Sequence, residues 1–293
     1  MADLEGLKVA HDFHVGEPFA QDGKFYVKGA GNLDWGMKKH LSRIFNPKSG
    51  NSVMFAFDHG YFMGSVSGLE RLDLLIPQLQ EHVDVLMGTR GAIRTSVSPF
   101  SKNAIALRVT SGSSMVQKDL SHEVVSVNIN DAIRMNADCL AVQTFIGGDG
   151  QLSSIENLSN VINTGIEYSI PTMGVVAVGK DMERTPKYFK LATRIVAEMG
   201  ANLVKTYYCD NFDEVVSACP VPIVVAGGKK LPEKEALELA FHAIDEGAHG
   251  LDMGRNIFQS LHPVAMADSI SKIVHERFTA KEAYELYLDS IKG

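Results

Sequence analysis

Eight short apolar runs, each separated from the next by a stretch that can hold a helix, restrict this chain to very few architectures. The runs occupy residues 53–57, 83–87, 104–109, 139–144, 172–178, 203–206, 223–226 and 250–253. Most are continuously hydrophobic rather than alternating, as expected for parallel strands covered on both faces. The intervening segments carry helix signals. Thr185-Pro186 reads as N-cap and first helical residue, Tyr188, Leu191, Ala192, Ile195, Val196 and Met199 form one stripe, and Gly200 closes the helix. Ser67-x-x-Glu70 and Ser153-x-x-Glu156 predict capping boxes, and a helix after Pro232 runs through Leu237, Ala240, Phe241 and Ile244 to Gly247. Eight strand–helix units over residues 51–293 predict an α/β protein with a (β/α)8 barrel. A doubly wound sheet is the rival. No G-x-G-x-x-G follows the first run, and the Gly-rich turns cluster late in the chain, which favours the barrel.

Two regions depart from the regular pattern. Between residues 109 and 138 there is no long helix, only an apolar segment at 124–127 and a short helical one near 131–135. Residues 1–50 form an N-terminal extension, polar and Gly-rich, with one amphipathic helix over 34–45. Its Met37, Leu41, Ile44 and Phe45 share a face opposite Lys38, Lys39 and Arg43. That helix either caps the bottom of the barrel or makes a subunit contact.

With 45% hydrophobic residues in 293, the chain has ample material for one large core. A net charge of −7 argues against a nucleic-acid-binding surface. No apolar run reaches bilayer length, and Met1-Ala2-Asp3-Leu4-Glu5 does not resemble a signal peptide. Cys139, Cys209 and Cys219 are odd in number and lack C-x-x-C spacing, which predicts a reduced, cytoplasmic protein without structural zinc.

Barrels of this kind carry their chemistry at the C-terminal ends of the strands. Read in order, those ends are Asp58-His59-Gly60, Thr89-Arg90-Gly91, Thr110-Ser111-Gly112, Gln143-Thr144, Gly179-Lys180-Asp181, Lys205, Gly227-Gly228-Lys229 and Asp252-Met253-Gly254-Arg255. Lys205 lies inside an apolar run. Low dielectric there disfavours the ammonium form and favours a free amine able to attack a ketone, whereas a solvated strand-end lysine would have no such role. Lys180, Lys229 and Lys230 follow glycine or sit in polar turns and suit surface charge or phosphate contacts better. Gly227-Gly228 and Gly254-Arg255 follow the seventh and eighth runs, where these barrels commonly bind phosphate. The plainer alternative is a tight turn and a surface ion pair.

Asp58 either transfers protons, holds the lysine amine, or caps its turn, with His59 as a partner. The ten histidines form no matched metal-ligand cluster, so metal catalysis is not expected. Cys209 has no adjacent histidine to activate it, and Cys139 reads as a packed strand residue. Tyr207 and Tyr208 are either proton donors or rim packing.

Phe57-Asp58-His59-Gly60, Val204-Lys205-Thr206, Ala226-Gly227-Gly228 and Gly254-Arg255-Asn256-Ile257-Phe258-Gln259 together resemble the lysine-dependent (class I) aldolases of the deoxyribose-phosphate and archaeal-type fructose-bisphosphate group. Within that group the chain is similar to the thiolase branch that ends processing of the phosphorylated autoinducer-2 signal. That likeness is carried by Leu33-Asp34-Trp35-Gly36-Met37, Leu41-Ser42-Arg43-Ile44-Phe45-Asn46-Pro47-Lys48, Lys205-Thr206-Tyr207-Tyr208, Cys219-Pro220-Val221-Pro222-Ile223 and Gly227-Gly228-Lys229-Lys230-Leu231-Pro232. The resemblance implies Lys205 as Schiff-base former and 3-hydroxy-5-phosphonooxypentane-2,4-dione as substrate. It also implies coenzyme A as co-substrate rather than a permanently bound cofactor, acetyl-CoA and dihydroxyacetone phosphate as products, and a homodecamer. The archaeal-type aldolases carry aromatic residues near the end of strand 5. Here that segment reads Met173-Gly174-Val175-Val176-Ala177-Val178-Gly179, which puts ordinary aldol chemistry in doubt. The other readings are an aldolase working without coenzyme A and a non-catalytic sugar-phosphate sensor.

Overall fold

The computed structural model describes residues 25–178 and 183–292. The eight apolar runs become the eight strands of a closed parallel barrel: β1 (Ser52–Ala56), β2 (Val85–Thr89), β3 (Ala104–Arg108), β4 (Cys139–Thr144), β5 (Thr172–Val176), β6 (Leu203–Tyr207), β7 (Ile223–Ala226) and β8 (Gly250–Met253). Each strand pairs with its sequence neighbours, and β8 closes on β1 with Ser52 opposite Gly250.

Period-2 geometry sorts the side chains. Outward residues such as Phe55, Leu107, Val142, Val204 and Leu251 join the large core under the surrounding helices. Inward residues Met54, Met87, Ala106, Ala141, Met173, Val175, Leu203 and Val224 form a second core inside the barrel. The same alternation on β6 places Leu203 in that interior core and Lys205 above it, between Val175 of β5 and Val224 of β7. Tyr207 comes next, at the rim.

The extension helix spans Trp35–Ile44, with Asp34 accepting a hydrogen bond from the Met37 N–H at 2.9 Å. Leu41, Ile44 and Phe45 are buried in the interior core, and Arg43 and His40 bind Asp138 just ahead of β4. The helix therefore caps the N-terminal mouth of the barrel, the first of the two alternatives above. Residues 1–24 of the extension lie outside the described residues, as does Gly179-Lys180-Asp181.

The third unit is irregular, as the sequence indicates. Thr110–Ser111 pairs antiparallel with Val124–Val125, and only the short helix Ile129–Arg134 follows. No helix among the described residues is long and apolar enough to cross a membrane.

Three expectations are corrected. The Ser67/Glu70 box does not cap a helix: Glu70 accepts from the Gly68 N–H inside a turn, and the helix begins later at Leu72. Ser153 lies within the helix Gln151–Glu167, its hydroxyl bonded back to the Gly150 carbonyl, because that helix starts a turn early on a glycine. The helix Pro186–Glu198 does start at Thr185, but its buried face holds Phe189, Ala192, Thr193, Val196 and Ala197, while Leu191 is exposed. A complete capping box forms instead at Thr279 and Glu282.

Leu41→Ala should cost about 2–5 kcal/mol, because it empties a fully buried site at the barrel floor. Urea unfolding checks this. A loss that disappears at high protein concentration would mean that the helix is held by a neighbouring subunit instead.

Candidate active site

The barrel's inward alternation ends, on its C-terminal side, in polar residues that surround a cavity of about 600 Å³. Lys205, Asp58, His59, Gly227, Gly228, Gly254 and Arg255 all line it, so the residues favoured for Schiff-base, proton-transfer and phosphate roles in the sequence face one space.

Lys205 is 8% exposed and lies over the methionine-rich barrel interior, its amine 3.4 Å from the Met87 sulfur. Its charged neighbour is Asp252 of β8, with Nζ 2.8 Å from Oδ2. Asp252 rather than Asp58 therefore holds the amine. Full burial pushes the Asp252 carboxyl above the usual carboxylate range, with the Lys205 charge pulling the other way. A carboxylate made more basic by burial, in contact with a lysine, can accept its proton and leave a nucleophilic amine. Sequence reading placed Asp252 on the rim but gave it no part. Only the barrel's curvature, which turns the inward faces of β6 and β8 toward one another across β7, brings it to the lysine.

Asp58 has a different partner. Arg108, almost fully buried on β3, reaches Asp58 Oδ2 with Nη1 at 3.3 Å and both Glu123 oxygens with Nη2 at 3.2 Å. Its guanidinium stacks on Tyr61, whose hydroxyl donates to Glu123 at 2.8 Å and accepts from Arg108. Burial chiefly raises the Tyr61 phenol. Desolvation works against the Arg108 charge, but Tyr61, Glu123 and Asp58 outweigh it and hold the guanidinium protonated. The sequence offered only one clue to this network: an arginine inside an apolar run.

His59 is half-buried, with its ring edge-on to Phe258. Burial depresses its pKa to about 4; the Asp58 charge opposes this, while Lys205, Arg255 and Arg108 add to it. Its Nδ1 lies 3.8 Å from Asp58, beyond hydrogen-bond reach. The imidazole is therefore neutral at pH 7.

Across the cavity, the turns after β7 and β8 are built to leave backbone exposed. Gly228 has φ +69, and a Cβ at Gly227 would come 2.8 Å from the Asn256 amide. A Cβ at Gly254 would collide with the His59 ring. Asn256 ties the two turns together, donating to the Gly227 carbonyl and accepting from the Leu231 N–H, both at 2.8 Å. Arg255 lines the cavity, and its buried Nε has no hydrogen-bond partner among the described residues. Arg184, which sequence reading passed over, stacks 4.1 Å from the Tyr207 ring centre and stands 3.7 Å from where a Gly228 Cβ would lie.

The remaining candidates fall away from the reacting centre. Tyr208 turns to Glu246, and Lys230 pairs with Glu233. Burial raises the Cys209 thiol to about 11, so it is not a thiolate. Val175, Ala177 and Val178 supply the strand-5 wall, which is aliphatic as the sequence indicated.

Comparison with known proteins gives a consistent picture. Residues 52–260 match the model of the DeoC/LacD family aldolases. The chain is 52% identical over 289 residues to the 3-hydroxy-5-phosphonooxypentane-2,4-dione thiolase of Escherichia coli K12, covering 98% of this chain and 99% of that protein. It is also 52% identical over 290 residues to an uncharacterized aldolase of Pasteurella multocida, covering 99% of each. Among solved structures, an archaeal fructose-1,6-bisphosphate aldolase superposes with a TM-score of 0.74 at 20% identity, covering 82% of this chain and 99% of that one. That likeness concerns the fold.

Unfolded histidine titrates near 6.5, whereas His59 in the fold stays neutral down to about 4. Between those values the unfolded chain binds more protons, so stability falls as pH falls. His59→Gln should remove part of that loss, at most about 3 kcal/mol between pH 6.5 and 4. Urea titrations across that window measure it; an unchanged slope would contradict the assignment.

Proposed function

This chain belongs to the DeoC/LacD family of aldolases, and on that premise we propose that it is a thiolase. It cleaves 3-hydroxy-5-phosphonooxypentane-2,4-dione with coenzyme A to acetyl-CoA and dihydroxyacetone phosphate, through a Schiff base on Lys205. The observation that carries this reading is the buried Lys205–Asp252 pair, facing a cavity whose far turns expose glycine backbone and an arginine. Identity of about half to a named thiolase along the full chain supports the substrate.

In this reading Gly227, Gly228, Gly254 and Arg255 receive the phosphate, with Arg184 beside the same turn as a second cation. Fixing the phosphate presents the C4 ketone to the amine. Lys205 gives its proton to Asp252, adds to C4 and, with loss of water, forms an iminium. The thiolate of coenzyme A attacks C2. The C2–C3 bond breaks, its electron pair passes from C3 into the iminium, and an enamine results. The acetyl group leaves on sulfur. A proton, balancing the one lost by the thiol, reaches C3; Asp58, oriented by Arg108, is the group proposed to carry it, with neutral His59 at its side. Hydrolysis of the iminium releases dihydroxyacetone phosphate and restores the lysine.

The implied homodecamer belongs to this reading as well. Trp35, Phe100 and Leu152 are largely exposed apolar side chains of the kind that subunit contacts cover. Processing of a phosphorylated signal in the cytoplasm is likewise part of the proposal.

Purified protein should consume the phosphodiketone and release acetyl-CoA and dihydroxyacetone phosphate in equal amounts, only when coenzyme A is supplied. Cleavage at the same rate without coenzyme A would favour a plain aldolase. Arg255→Ala should raise KM for the phosphodiketone about tenfold or more with a smaller change in kcat. An unaltered KM would remove Arg255 from the phosphate site.

A further inference from the structure

The proposed reaction needs a second substrate to reach the same cavity, and the barrel's topology fixes the side from which it comes. The turns after β7 and β8 hold the phosphate in that reading. In a closed eight-stranded barrel those strands stand opposite β3 and β4. The substrate is linear: phosphate on C5, iminium at C4, acetyl carbon C2 two bonds further on. With the phosphate at β7 and β8 and C4 at Lys205 on β6, C2 points across the mouth toward the loops that follow β3 and β4.

Those loops form a wall unlike the rest of the rim. After β3 the chain does not enter a long barrel helix; it makes the Thr110–Ser111/Val124–Val125 pair and folds residues 112–123 over the mouth. The fold-over is anchored on both sides. The Met115 N–H donates to the Phe62 carbonyl at 2.9 Å, and Ser121 Oγ accepts from the Gly150 N–H at 3.0 Å. Gly150 is packed so closely on the Ser121 carbonyl that a Cβ would collide with it. The β4 loop beside it contributes Gly147 and Gly148, and a Cβ at Gly148 would meet nothing within 4 Å. Lys118 from the first loop lines the same cavity, together with Asp119 and Asp149. At about 600 Å³ the cavity is in the range that encloses a drug-sized ligand, so it has room for a thiol-bearing arm as well as a small sugar phosphate.

We propose that the gap between the loop of residues 112–123 and the Gly147-Gly148 turn is the entry for the pantetheine arm of coenzyme A. The arm slides past Gly148 with its thiol toward C2, and Lys118 attracts the nucleotide phosphates outside. Small residues are needed at the turn so that the arm can pass between the two loops. This inference rests on the thiolase reading above, which alone requires a coenzyme A thiol.

The test uses full-length protein carrying Gly148→Phe, which fills the opening without backbone clash, and Lys118→Glu, an exposed charge reversal. KM for coenzyme A is measured beside the Kd of the phosphodiketone, obtained by calorimetry without coenzyme A. Each variant is expected to raise KM for coenzyme A about tenfold or more while the phosphodiketone Kd stays within about threefold. Lys118→Glu should also show a weaker salt dependence of that KM. Unchanged KM for coenzyme A in both variants overturns the proposal. Equal losses for both substrates overturn it too, since the gap would then belong to the sugar-phosphate site. If the parent protein transfers no acetyl group to coenzyme A, the thiolase reading fails first and this proposal falls with it.

Discussion

A lysine and an aspartate paired at 2.8 Å inside an apolar shaft give this barrel its character. Moving two charges out of water costs several kcal/mol each, and mutual attraction recovers that only in good geometry. A barrel interior filled to the top with Leu, Val and Met would avoid the cost entirely. The lower layers are built that way: Met54, Met87, Met173 and Leu203 fill the shaft below the pair. The exception at Lys205 and Asp252 is therefore a cost borne at one level of the barrel, where an amine and a proton acceptor are set side by side.

The second charged cluster solves a different problem. Arg108 is buried with two carboxylates and a phenol around it, so each of its three nitrogens finds an acceptor among Asp58, Glu123, Tyr61 and the Thr110 carbonyl. The network is close to fully satisfied, which is what allows it to be buried. It also keeps Asp58 from turning to the lysine and fixes that carboxylate against the cavity. The opposite wall is made by omission. Glycines at 227, 228 and 254 stand where a side chain would strike Asn256 or His59 or would strain a positive φ, and bare backbone faces the cavity there.

Much of this was legible in the sequence. Continuous apolar runs give the strands because both faces of a parallel barrel are covered, and the lysine stands out because it interrupts one of them. The glycine pairs declare their turns by residue type alone. What was not legible depends on how the chain folds in three dimensions. Asp252 sits in its own apolar run, 47 residues from Lys205 by sequence number, and nothing local marks it as the lysine's partner. Arg108 and Glu123 meet only because the chain after β3 folds back in a hairpin instead of a helix. The failed capping boxes show the converse: Ser67 and Ser153 carry the right spacing, but tertiary packing starts those helices elsewhere.

The assignment of Lys205 as the group that bonds to substrate is tested most directly by reductive trapping. Protein mixed with the phosphodiketone and borohydride, then digested and mapped by mass spectrometry, should carry a stable adduct on the peptide containing Lys205. Lys205→Arg should carry none and turn nothing over. An adduct on another lysine, or full activity with arginine at position 205, would contradict the account.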